Sequence, residues 1–156
     1  DLFNIPISLK IDKTTLAKRF FELQKKFHPD FYSNATADEQ EQALEISSMA
    51  NKALKTFQSL DETIKYVLQI KCLLEDEEKY QLPSDFLMEI MELNEMKMDH
   101  QNSTELEQRI QQLLSENYTS IEPIIENYND ETIDRASLLH LKEYYYKKKY
   151  LTRLEI

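Results

Sequence analysis

Leu23-Gln24-Lys25-Lys26-Phe27-His28-Pro29-Asp30 is the stretch at which a helix has to stop. Proline has no amide hydrogen and pushes the residue before it out of helical geometry, so His28 and Asp30 are expected in an exposed loop at a helix end. Upstream, Asp12 can cap a helix in which Leu16, Phe20, Leu23 and Phe27 recur on one face. Downstream, the loop continues through Ser33, Asn34 and Ala35. A second helix then starts near Thr36 to Asp38 and runs to about Gln58, with Ala43, Ile46, Ala50, Ala53 and Phe57 as its inward stripe. Two helices with facing stripes and a polar loop make an antiparallel hairpin whose tip presents His28, Pro29 and Asp30. A third segment, Thr63 to Leu74, carries Ile64, Val67, Leu68 and Cys72.

The rest of the chain has the same character. It has 156 residues and no glycine, and its Leu, Glu, Lys, Gln and Met content favours helix, so an all-α protein is expected. The missing glycine excludes Gly-rich phosphate loops, the dinucleotide fingerprint and the nucleophile elbow, each of which needs a backbone position that a side chain would block. The single cysteine, Cys72, cannot form an intrachain disulfide or a multi-cysteine zinc site and reads as a small buried hydrophobe. Formal charge is −10, and it is unevenly placed: residues 1–75 net −1 and residues 76–156 net −9. That balance argues against a nucleic-acid partner, which needs a basic footprint. No apolar run approaches the roughly 20 residues of a membrane helix, so no membrane partner is expected. The acidic first residue does not begin a signal peptide, and the product is expected to be cytoplasmic, or in the mitochondrial matrix if the source is eukaryotic.

Residues 75–85 combine a charge run with Pro83 and the helix-capping candidates Ser84 and Asp85, which reads as a connector. From Phe86 to about His100 a helix places Phe86, Ile90 and Leu93 on a narrow core face. A second arc of that helix holds Leu87, Met91, Met98, Glu95, Met88, Asp99 and Glu92, interleaving apolar and acidic groups. Flexible methionines suit adaptable interfaces, whereas packing against neighbouring helices is the plainer reading of Leu and Met. Ser103-Thr104-x-x-Glu107 offers a capping box for a helix striped by Leu106, Ile110, Leu113, Ile121, Ile124, Ile125 and Tyr128, which Pro123 should kink or split. A last helix follows Asn129-Asp130 with Ile133, Ala136, Leu139, Tyr144, Leu151 and Leu154. These three helices can close an antiparallel bundle. The block Tyr144-Tyr145-Tyr146-Lys147-Lys148-Lys149-Tyr150 is open to three readings: snorkelling cover, a nucleic-acid patch or a protein interface.

A charged helix, His28-Pro29-Asp30 and a second amphipathic helix resemble a J domain, the module that stimulates ATP hydrolysis by seventy-kilodalton heat-shock chaperones. Leu23 to Phe27, Asn51-Lys52-Ala53 and Tyr66-Val67-Leu68 also stand where J domains have comparable residues. The resemblance implies that Asp30 contacts the chaperone and perturbs its coupling network, with His28 and Pro29 supplying contacts and loop geometry. Lys18, Arg19, Lys25 and Lys26 add a basic surface able to steer an acidic partner.

Over nearly its whole length the chain is similar to the HscB-type iron–sulfur cluster assembly co-chaperone family. Leu2-Phe3-Asn4-Ile5-Pro6 is like that family's Leu-Phe-Gly-Leu-Pro entry, with Asn4 in place of glycine. Phe86-Leu87-Met88-Glu89-Ile90-Met91-Glu92-Leu93-Asn94-Glu95 follows its Phe-Leu-Met-Glu-x-Leu-Glu-Leu-x-Glu signature, and Lys149-Tyr150-Leu151-Thr152-Arg153-Leu154 resembles its basic-aromatic-Leu-x-basic-Leu segment. The paired-cysteine zinc extension of some members is not seen. The resemblance implies a J domain over 1–74, a connector over 75–85 and a helical bundle over 86–156 that binds the cluster scaffold protein (IscU type) through Leu87, Met88, Met91, Glu92, Glu95, Asp99 and Tyr150. It further implies a chaperone partner of HscA or DnaK type, whose ATPase the chain stimulates. The chain itself is expected to be no enzyme and to hold no cofactor or metal. Two alternatives stay open: a J-domain co-chaperone for another client, and a helical metal-binding protein. For the latter, none of His28, His100 and His140 has Glu three positions earlier, and His-Glu-x-x-His is missing.

Overall fold

The structure, a computed structural model, describes residues 2–99 and 102–155. Among these residues the regular structure is entirely helical: α1 (Lys13–Phe27), a 3₁₀ turn (Pro29–Tyr32), α2 (Ala37–Gln58), α3 (Leu60–Ile70), α4 (Ser84–Asp99), α5 (Ser103–Glu126) and α6 (Arg135–Leu154). Two compact units, Asp1–Tyr66 and Val67–Ile156, divide the chain within α3. Among the described residues no helix is long and apolar enough to cross a membrane.

In the first unit Asp12 caps α1, accepting from the amides of Thr14 and Thr15 and from the Thr15 hydroxyl at 2.6 Å. The Thr15 hydroxyl, followed by the two amides, holds the Asp12 carboxyl below its ordinary range. Leu16 of α1 is buried, and on α2 Ala43, Ser47 and Ala50 are buried as well; such small side chains let the two helix backbones come close. Ser47 is a polar member of this stripe that apolar periodicity passes over. Its hydroxyl donates to Gln24 Oε1 at 2.9 Å, clasping α1 to α2 in the interior of the hairpin. α2 starts where expected: Thr36 and Glu39 form a reciprocal capping box that satisfies two otherwise orphaned amides.

Cys72 is exposed, against the expectation of a buried thiol. The reason lies in the end of α3. The Leu73 amide donates to Leu68 O and the Cys72 amide to Gln69 O, the paired bonds of a Schellman cap, and Cys72 takes the left-handed position at φ 57°. A glycine-free chain must put a side chain there, and that side chain points away from the helix it terminates. Asn4, at φ 52°, makes a similar exchange: it stands where the resembling family has glycine, and Asn is among the side chains that best tolerate this region.

The second unit is an up-down-up bundle. Arg109 of α5 reaches Glu92 of α4, Gln111 of α5 reaches Glu155 just beyond α6, and Lys97 near the end of α4 donates to Leu154 O at the end of α6. Those pairings make α5 antiparallel to both neighbours. The core gathers Phe86, Ile90 and Leu93 from α4, the face expected from the sequence, with Leu106, Ile110, Ile121 and Ile125 from α5. Three expectations are corrected here. Pro123 does not split α5, which runs on to Glu126: the proline removes a single amide donor and the helix on either side is kept. The capping box at Thr104 and Glu107 does not form: Ser103 is already helical, and Asn102 at the N-cap makes no side-chain bond. In α6, Tyr144, Leu151 and Leu154 are buried as expected, but Ile133 precedes the helix, Ala136 and Leu139 are exposed, and Leu138 and Leu141 are buried in their place. The Leu138-Leu139 pair allows two frames, and the start of the helix at Asp134, whose carboxylate accepts from the Ser137 amide, selects the first. Buried Asn117 donates to Tyr144 O at 3.1 Å, a polar tie between α5 and α6.

Over Tyr144 to Lys149 of the tyrosine–lysine block, the geometry fits cover of the bundle. Tyr144 and Tyr146 are buried, and Lys147, Lys148 and Lys149 lie over the rings of Phe86, Tyr144 and Tyr145/Tyr146 at 5.3–5.9 Å, laying their stems on apolar surface.

Candidate functional site

The hairpin tip is a built turn. His28 ends α1 in an extended conformation, as the residue before proline must, while its amide still donates to Gln24 O at 2.9 Å. Pro29 starts the 3₁₀ turn, where its missing amide costs nothing. The His28 imidazole Nδ1 accepts from the Asp30 amide at 3.3 Å, and the Phe31 amide donates to His28 O at 3.0 Å. Tyr32 Oη donates to Lys26 O at 2.9 Å and ties the turn back onto α1, while Gln40 reaches the carbonyls of Ser33 and Ala35 from α2. These bonds run between side chains and backbone; the Asp30 carboxylate lies 3.6 Å from His28 Nδ1, and its side chain is 86% exposed. The turn therefore holds one fixed anionic group out to solvent.

Lys25 and Lys26 are exposed in the last turn of α1 beside this tip, Lys18 is exposed further back on the same helix, and Lys26 also passes over the Phe27 ring at 5.3 Å. Arg19 differs: it is half-buried and pairs with Glu22 at 3.3 Å. An exposed pair of this kind contributes little to stability, yet it reduces the positive charge that Arg19 offers.

On α4, Met88, Met91, Glu92, Glu95 and Asp99 are exposed, and Leu87 stands at the edge of that class. Among the described residues Met98 is the most exposed large apolar side chain at 79%. It was legible on the helical wheel but stands outside the signature segment. Leu87 and Tyr150 of α6, together with Lys79, Tyr80, Gln81 and Leu82, line one groove of about 360 Å³. Met88, Met91, Glu95 and Asp99 lie outside that lining, and Glu92 pairs with Arg109 at 3.4 Å. His100 lies outside the described residues. Among the described residues no three His, Cys, Asp or Glu side chains are grouped to hold a metal ion.

The wall of the groove over 79–82 is a feature sequence reasoning missed, and it is held by ionic and aromatic contacts. Lys142 is buried and donates to Glu78 Oε1 at 2.6 Å; Tyr146 Oη donates to the other carboxylate oxygen at 3.3 Å. Next to them Tyr80 stacks on Tyr146 with centroids 4.5 Å apart and planes at 10°. The Lys142 hydrogen bond keeps the Glu78 carboxyl below its ordinary range, in spite of partial burial. Burial, then the Glu78 charge, pushes Tyr146 up to about 12. A carboxyl depressed in the fold contributes stability above its unfolded pKa of about 4.3, and that contribution disappears as pH falls through the folded value. Urea midpoints taken between about pH 6 and 3 should therefore fall more steeply for the wild type than for Glu78→Gln. Parallel curves would show that the pair adds no pH-dependent stability.

Residues 82–156 match the family model described as the HSCB C-terminal oligomerisation domain. The co-chaperone protein HscB homolog of Haemophilus ducreyi is 31% identical over 153 residues, covering 94% of this chain and 88% of that protein. The mouse iron–sulfur cluster co-chaperone protein HscB is 33% identical over 108 residues, 69% of this chain, and the match spans 46% of the mouse protein. Among solved structures, the human co-chaperone protein HscB superposes with a TM-score of 0.77 at 26% identity, over 99% of this chain and 76% of that one. The Vibrio cholerae chaperone HscB shares the fold, with a TM-score of 0.71 at 22% identity over 99% of this chain and 90% of that one. An identity above 30% across almost the full length of both chains, on an all-helical hairpin and bundle of the same fold, places the chain in the HscB co-chaperone family.

Proposed function

We propose that this chain is an adaptor in iron–sulfur protein maturation. The second unit captures the cluster scaffold protein, and the first engages a specialised seventy-kilodalton chaperone and stimulates its ATPase. In this reading residues 1–74 serve as the J domain, 75–85 as connector and 86–156 as the scaffold-binding bundle. Asp30 is the central chaperone contact, with His28 and Pro29 shaping its turn and Lys18, Lys25, Lys26 and, to a smaller degree, Arg19 steering the approach. Leu87, Met88, Met91, Glu92, Glu95, Asp99 and Tyr150 receive the scaffold. The cluster is cargo, held by the scaffold.

The observation that carries this reading is α4, a helix of a family co-chaperone that buries Phe86, Ile90 and Leu93 and leaves two methionines of the signature about two-thirds exposed beside three carboxylates. Apolar surface of that kind left in water marks an interaction site. ATP hydrolysis belongs to the chaperone's own residues, and this chain contributes coupling free energy between scaffold and chaperone.

The test is a chaperone ATPase titration with and without scaffold. Turnover should rise on adding this chain and rise further with scaffold present, while the chain alone hydrolyses no ATP. An unchanged rate with folded, competent partners rejects the adaptor role. If stimulation occurs but scaffold neither adds to it nor binds, the chain serves a different client.

A further inference from the structure

Two phenylalanines of the first unit stand in water with no role assigned so far. Phe31 is 70% exposed and Phe21 is 62% exposed. Neither belongs to the hairpin core, and an exposed phenylalanine is far less common than an exposed lysine or glutamate. Their placement is ordered. Lys18, Phe21 and Lys25 fall within about 60° of arc on α1, and His28 continues the same line at the helix end. Phe21 lies about 10 Å along the helix axis from His28, whose ring meets Phe31 edge-on at 6.0 Å. Phe31 sits in the 3₁₀ turn fixed by its amide bond to His28 O, one residue after Asp30. Phe21 packs edge-on against Phe20 at 5.6 Å. Both rings are thus presented on rigid backbone, which lowers the ordering cost of burying them against a partner.

From this we infer that Phe21 and Phe31 are apolar anchors of the surface that docks the seventy-kilodalton chaperone, flanking the Asp30 contact on one continuous stripe. The inference rests on the adaptor reading above and adds the source of its binding energy. The occupant is argued from charge and continuity. Lys18 and Lys25 flank Phe21 on the same arc of α1, so the partner must offer an apolar recess rimmed by acidic groups, and Phe31 adjoins the residue already assigned to the chaperone. Aromatic rings are frequent centres of binding energy, whereas rim lysines chiefly set the association rate. Docking here is therefore less sensitive to salt than a purely basic surface would make it.

The test uses the full chain and the source organism's own chaperone, reading the concentration that half-saturates ATPase stimulation. Phe21→Ser with Phe31→Ser should raise that concentration by about tenfold or more, at physiological salt and equally at about 0.5 M, where screening acts within a few Å. Phe21→Leu with Phe31→Leu keeps apolar area and should recover most of the loss. That recovery separates lost burial from a disturbed tip. Lys18→Ala with Lys25→Ala should weaken stimulation at low salt and approach the wild-type value at high salt. An unchanged half-saturation for the serine variant, with Asp30→Asn inactive, overturns the anchors and leaves the adaptor reading standing. Normal stimulation by Asp30→Asn overturns that reading and the inference with it. Should sedimentation show wild-type self-association that the serine variant loses, with chaperone titrations identical, the stripe is a contact between copies and the inference fails.

Discussion

Asp30→Asn is expected to bring stimulation of the chaperone's ATPase down to the unstimulated rate while scaffold affinity stays within about twofold of wild type. The side chain is 86% exposed, and the turn is held by its backbone, so the isosteric amide leaves the fold alone. A surface substitution of this kind changes stability by about 0.5 kcal/mol or less. What it removes is one negative charge at a rigid tip. Truncating one partner of a hydrogen-bonded charge pair at an interface costs about 2–5 kcal/mol, enough to suppress docking at ordinary concentrations. Circular dichroism and a scaffold titration should accompany the ATPase assay. Loss of scaffold binding together with stimulation would mean that the variant had misfolded, and retention of stimulation would remove Asp30 from the mechanism.

The second large effect belongs to the bundle. Replacing Leu87, Met91 and Tyr150 together by alanine should weaken scaffold binding by about 100-fold or more, since individual interface anchors commonly contribute about 1–4 kcal/mol and neighbours add imperfectly. Leu87 and Tyr150 share the groove walled by residues 79–82, so their losses should couple. Met91 is exposed outside it, so its contribution should come closer to additive. Helical content should persist, because Leu87 and Met91 lie outside the core of Phe86, Ile90 and Leu93. Glu92→Gln should cost less than its place in the signature suggests, as its carboxylate already faces Arg109 at 3.4 Å. Calorimetric titration of scaffold into the folded triple variant decides the matter: an affinity equal to wild type removes these residues from the site.

Much of this was legible because helical periodicity and proline act locally. The hairpin, its tip and the core face of α4 follow from residue spacing and from one missing amide hydrogen at Pro29. What periodicity misses is set by distant partners or by backbone detail. Ser47 and Asn117 are buried polar residues whose partners, Gln24 and Tyr144, lie 23 and 27 positions away. The offset stripe of α6 arose from a Leu-Leu pair that only the cap at Asp134 resolves. Arg109, which engages Glu92, sits 17 positions beyond it on another helix. The wall over 79–82 reads as a charged connector because Lys142 and Tyr146, which hold it, stand more than sixty positions downstream. The exposed Phe21 and Phe31 escaped for another reason: each lies outside the apolar stripes, one on the outer face of α1 and one in the 3₁₀ turn, where periodicity assigns no role.

The cap that ends α3 has a practical corollary. Its left-handed residue carries the sole sulfhydryl of the chain, and that group is open to solvent. A maleimide fluorophore or spin label can therefore be attached to these 156 residues at one defined position, with no second thiol among them to compete. The chain comes with its own attachment point for watching each partner arrive.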